Sequence, residues 1–124
     1  RWTQTRDFTF VRDTAQGILL AGYADNAIGE TINLGQGQEI TVNALAEKVR
    51  QVVGNNDSEI TYIDQRPGDV LRLFADSGRA GSLLQFSPQV GLGEGLKELY
   101  VWYKESKHSP DELLENEIVQ NWKT

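Results

Sequence analysis

The chain has 124 residues, 18 acidic against 12 basic, a net charge of -6 and 39% hydrophobic residues, a composition that folds rather than stays disordered. The acidic balance argues against a nucleic-acid surface, which needs a concentrated positive field, but not against a small anion held by a few placed arginines. With no cysteine and one histidine, disulfides and thiolate metal sites are excluded and no metal is expected, while the longest apolar run, GILLAG, is far too short to span a membrane and no signal-type segment opens the chain, so the expected location is cytoplasmic.

In chain order, DFTFV (Asp7 to Val11) alternates in polarity and reads as a strand. Asp13 then caps a helix whose apolar stripe is Ala15, Ile18, Leu19 and Tyr23, broken by DNAIG. ETINL reads as a second strand, closed by GQGQ. Thr41 opens the clearest helix, with Val42, Leu45, Ala46, Val49, Val52 and Val53 at helical spacing and Gly54 at the left-handed cap. EITYI (Glu59 to Ile63) is the third expected strand and leads into QRPGDVLRLFAD.

Ser77 opens a short helix carrying Ala80, Leu83 and Leu84, which Pro88 separates from an amphipathic helix with Leu92, Leu96, Leu99, Tyr100 and Tyr103, running to about Lys107. Ser109, Pro110 and Glu112 spell a capping box with proline at the first helical position, predicting a last helix from Pro110 to about Trp122. Helices alternating with short strands give an α/β fold. The expected organisation is one domain over residues 1–124, with a core at 5–106 and a helical tail at 109–124.

Several stretches invite chemistry. GQGQEI places two glycines between a strand and a helix, yet position 40 is Ile where a dinucleotide site needs a third glycine, so a plain turn is the better reading. YVWYK has the Tyr-x-x-x-Lys spacing, but Tyr100 belongs to a core-facing stripe and is read as structural. The carboxylates of DELLENE lie where they complement a helix dipole, and no histidine joins them. Arginines are harder to dismiss: Arg6 and Arg12 bracket DFTFV, and Arg66 and Arg72 flank the Pro-Gly turn. Guanidinium groups bind diphosphate bidentately, and an Asp such as Asp69 beside a phosphate is favourable when it accepts from a sugar hydroxyl. Phosphate next to sugar suggests a nucleotide, against the plainer reading of salt bridges within a loop.

TRDFTFVRDTAQGILLA, ETINLGQGQEITVNALAEKV and ITYIDQRPGDVLRLFADSGRAGSLLQFSPQVGLGEGLKELYVWYKES, in that order from Thr5 to Ser106, resemble the C-terminal part of extended short-chain dehydrogenases/reductases, nearest to the NAD-dependent nucleotide-sugar epimerases and dehydratases. The resemblance implies a small substrate-binding lobe in which Arg6 and Arg66 hold the diphosphate of a nucleoside diphosphate-sugar and Asp69 bonds the ribose. It implies that NAD and the catalytic Tyr-x-x-x-Lys pair belong to an N-terminal Rossmann half that this stretch lacks, so this chain supplies neither catalytic nor cofactor-binding residues. Two departures stand out: Arg12 occupies a position where the family reads Asp, and the chain begins at RWTQTRDF, inside an expected loop, as a fragment would. The alternative readings are a non-catalytic nucleotide-sugar-binding module and a ligand-free assembly domain using the Pro110 to Trp122 helix. Core exposed by a missing lobe would favour self-association.

Overall fold

The computed structural model describes residues 3–64, 66–106 and 108–115. Its centre is a three-stranded sheet of order β2-β1-β3, formed by β1 (Thr5–Asp7), β2 (Glu39–Thr41) and β3 (Arg72–Leu73). β1 pairs antiparallel with β2, Thr5 facing Thr41 and Asp7 facing Glu39. It pairs in parallel with β3, Thr5 facing Arg72 and Arg6 facing Leu73. Backbone hydrogen bonds from Thr5 N to Leu71 O (2.9 Å) and Val42 N to Gln4 O (3.0 Å) extend both ladders.

The α/β class is as expected, but the strands are displaced from where the sequence pattern put them: the first overlaps its expected position by one residue and the other two not at all. Only Asp7 of DFTFV is in a strand, and ETINL and EITYI carry no strand pairing. Those stretches have β-type composition, whereas strand identity is conferred by a partner's N–H and C=O groups, and here the partners are EIT and RL.

Around the sheet run α1 (Val11–Tyr23), a 3-10 turn at Asp25–Ala27, α2 (Val42–Val53), α3 (Gly78–Leu84), α4 (Leu92–Glu105) and α5 (Pro110–Leu114). The N-cap of α1 is Phe10, not Asp13. Its inward face is Asp13, Gly17, Leu20, Ala21 and Ala24, positions separated by one or two turns. The stripe expected to face the core points away from it: Ile18 is 61% exposed and Tyr23 87%. α1 is apolar on both faces, and close approach decided which one is buried, since a Cβ at Gly17 would lie 2.7 Å from Leu34.

The other helix signals hold. Thr41 Oγ1 accepts from Ala44 N at 3.1 Å, and Gly54 closes α2 with φ 76°. α2 lies against α4. α3 starts after Ser77, though its hydroxyl donates to Gly35 O instead of capping, and Asp76 accepts from Gly78 N. The capping box is complete: Glu112 N donates to Ser109 Oγ (3.2 Å) and Ser109 N to Glu112 Oε2 (2.7 Å). The expected continuation to Trp122 lies outside the described residues.

Ala80, Leu84 and Phe86 form the buried cluster, with Leu20, Ala24, Ile32 and Leu34 packed on it. Burying side chains of the size of Leu84 and Phe86 contributes about 1.5–3 kcal/mol each. Asp13 is 5% exposed, and its carboxylate accepts from Gln89 N and Val90 N, both at 3.0 Å, joining α1 to the loop before α4. On the sheet, Glu39 reaches across β1. It accepts from Arg72 Nε at 3.1 and 3.0 Å, from Arg72 Nη2 and from Thr5 Oγ1.

Two stability predictions arise from these carboxylates. Asp13→Ala strands two backbone donors in a dry place, so unfolding free energy should fall by about 2–4 kcal/mol, and by less in Asp13→Asn, which keeps an acceptor; urea titration measures both. The hydrogen bonds from Arg72, then from Thr5, lower the Glu39 pKa from 4.5 to about 2. A depressed folded pKa stabilises the native state above the unfolded value and loses that contribution as pH falls through the folded one. The midpoint difference between wild type and Glu39→Gln should therefore be constant from neutral pH to about 5 and shrink toward pH 2. A difference still at its neutral value at pH 2 would refute a charge-based clamp.

Candidate functional site

The RPGD segment forms the expected tight turn. Asp69 N donates to Arg66 O at 3.3 Å, and Gly68 has φ 82°; proline followed by a positive-φ glycine is the type II arrangement, which other residues adopt only under strain. Because the chain leaving the turn becomes β3 and pairs with β1, the turn is delivered to Arg6. Arg6 Nη1 donates to Thr5 O at 2.7 Å and to Val70 O at 3.0 Å, and Nη2 lies 3.7 Å from Asp69 Oδ1. Arg6 and Asp69 are thus side by side although far apart in sequence. Arg66 is exposed and occupies the first position of the same turn.

Arg6 also lines a cavity of about 520 Å³, together with Ile32, Asn33, Leu34, Leu73 and Phe74 among others. One wall depends on Asp7, whose carboxylate accepts from Gln36 N (3.2 Å), Gly37 N (2.9 Å) and Ala75 N (3.2 Å). Thr9 Oγ1 also accepts from Gln36 N, at 3.0 Å. Gly35 fits here because it lacks a side chain: a Cβ would meet Ala75 Cβ at 2.4 Å and Asp7 Oδ2 at 2.9 Å. The sequence pattern did not single out Asp7, although an Asp in a strand, where it is disfavoured, was a readable signal that its carboxylate has a job.

The remaining motifs have structural occupations. The GQGQ loop does not fit a dinucleotide pyrophosphate: its N–H groups at Gln36 and Gly37 already serve the Asp7 carboxylate, and it runs into β2 before the helix. Tyr100 is half-buried and lines an apolar groove of about 730 Å³ with Val49, Val52, Leu96 and Tyr103, between α2 and α4. Lys104 Nζ sits over the Tyr100 ring, 5.5 Å from its centroid. That groove is larger than the Arg6 cavity, but its described lining holds no arginine, so a polyanion is better served at Arg6.

Arg12 pairs with Glu98 of α4 at 2.6 Å and lies over Phe10. Arg72 is the partner of Glu39. In the acidic segment, Glu112 closes the capping box and stands 4.0 Å from His108 Nδ1. Among the described residues there is no cluster of three or more His, Asp or Glu able to hold a metal, and no helix is long and apolar enough to cross a membrane.

Comparison with known proteins agrees with this frame. The chain is 35% identical over 106 residues to a putative UDP-glucose 4-epimerase of Methanocaldococcus jannaschii, covering 86% of this chain and 33% of that protein. Its fold superposes on an epimerase of Methanothermobacter thermautotrophicus with a TM-score of 0.80 and 36% identity, over 85% of this chain and 31% of the other. A UDP-glucuronic acid 4-epimerase of Bacillus cereus, solved with UDP-glucuronic acid and NAD, gives a TM-score of 0.77 and 31% identity over 84% and 33%. The chain therefore spans about a third of the length of these relatives. Residues 1–99 match the family profile described as GDP-mannose 4,6 dehydratase, and the chain belongs to that family of extended short-chain dehydrogenases/reductases.

Proposed function

We propose that this chain is the substrate-binding lobe of an NAD-dependent nucleotide-sugar epimerase or dehydratase, with Arg6 and Arg66 holding the diphosphate and Asp69 accepting from the ribose. The observation that carries the reading is the delivery of the RPGD turn to Arg6, a residue that lines a cavity and whose guanidinium lies 3.7 Å from the Asp69 carboxylate. A diphosphate and an adjacent sugar hydroxyl present the complementary pair, an acceptor cluster and a donor.

A second set of residues supports the lobe assignment. Ile18, Leu19 and Tyr23 on the outer face of α1 are exposed, as are Leu71 (65%) and Leu73 (59%) on the sheet edge. Apolar surface of that extent marks a contact face, and the relatives' additional length supplies a domain to cover it. NAD and the proton-transferring groups are assigned to that other half. The work of this chain is to bind the nucleotide-sugar and fix its sugar end for a reaction carried out elsewhere in the protein.

Titration of the chain with UDP and GDP tests the assignment. Arg66→Lys should weaken binding although it keeps the charge, because an ammonium cannot make the bidentate fork. Arg66→Ala should cost about 1.5–3 kcal/mol, and the wild-type affinity should fall as salt rises. Unchanged affinity in a folded Arg66→Ala protein would reduce Arg66 to a surface residue.

A further inference from the structure

We infer that Asp69 is a specificity-determining residue that acts through Arg6: it occupies the guanidinium edge a phosphate must take, and releases it at low cost only to a ligand that also offers the carboxylate a hydroxyl. The inference rests on the nucleotide-binding reading above and adds a selection rule to it.

The two ends of the Arg6 guanidinium are engaged very differently. Nη1 spends its hydrogens on two backbone carbonyls at 2.7 and 3.0 Å, both ordinary hydrogen-bond lengths. Nη2 faces Asp69 at 3.7 Å, an ion pair too long to be a good hydrogen bond. The side chains retain 22% and 31% exposure, so water weakens their attraction. Arg6 is therefore fixed to the turn by its carbonyl contacts and only loosely held by the carboxylate, which makes the carboxylate the exchangeable partner.

A phosphate group, bound bidentately and carrying more charge, outcompetes such a pair. Displacement leaves Asp69 next to an anion. A ribose hydroxyl donating to Asp69 removes that conflict, whereas inorganic pyrophosphate leaves two like charges facing each other. The neighbouring carboxylates do not offer relief or substitute for it: Asp7 is committed to three backbone N–H groups and Glu39 to Arg72 and Thr5. Discrimination against diphosphates without a ribose thus comes from a repulsive element, as specificity often does.

Calorimetric titration of wild type and Asp69→Asn with inorganic pyrophosphate, UDP and GDP tests this. Asp69→Asn should bind pyrophosphate about three- to tenfold more tightly, on the scale of a partly exposed ion pair plus the lost repulsion, and should bind the nucleotides no more tightly than wild type. Asp69→Ser gives the same readout should the amide unsettle the turn. Nucleotide binding that is normal in wild type together with unimproved pyrophosphate binding in both variants would overturn the selection rule alone. Binding of neither nucleotide by the wild-type chain would overturn the nucleotide reading, and this inference with it.

Discussion

One carboxylate organises the region around Arg6. Asp7 sits at the end of the central strand and accepts from backbone N–H groups of the 35–37 loop and of Ala75. Because an ionised carboxylate is an acceptor with several lone-pair directions, it can satisfy donors from segments that have no regular ladder between them. The consequences spread outward. Gly35 is pressed against Ala75, Ser77 bonds back to Gly35 O at 3.0 Å, and the segment after β3 is held in line with β1. With β3 so fixed, the RPGD turn that precedes it has one place to go, beside Arg6.

Asp13 repeats the device where α1 meets the loop before α4 through two N–H bonds. The sheet is very short, so carboxylate-to-backbone bonds replace ladder bonds as the joints between layers. Arg12, an unusual residue for its position in the family resemblance, belongs to this framework: through Glu98 it links α1 to α4 itself. Its contribution is small by comparison, as for exposed pairs generally.

The sequence was legible where structure is locally encoded. Thr41 and Gly54 bounded α2, Ser109 and Glu112 formed their box, and proline with glycine set the RPGD turn, because caps and turns are decided by residues a few positions apart. Strands of two or three residues are not of that kind. EIT and RL are too short to show a period, while the β-rich ETINL and EITYI carry no strand pairing. In α1, polarity pattern recognised a helix but chose the wrong inward face, since a helix apolar on two sides is oriented by what packs against it. At the site, Arg6, Arg66 and Asp69 were nameable from residue chemistry and resemblance. That Arg6 and Asp69 are adjacent was not, for it follows from the β1–β3 register.

That register also governs when the site comes into being. The bond from Ala75 N to Asp7 joins residues 68 apart in sequence, and that from Arg6 to Val70 O joins residues 64 apart. Helices α1 and α2 close over a few residues each and form early, but a parallel pair spanning most of the domain must first overcome the entropy of a long loop. During synthesis the central strand emerges before the Arg72–Leu73 segment and waits unpaired on its β3 side until that segment has followed it. The Arg6–Asp69 pair is completed by the same late pairing that closes the sheet, so a kinetically trapped chain with intact helices would already look folded by its helical signal and still lack the proposed diphosphate clasp.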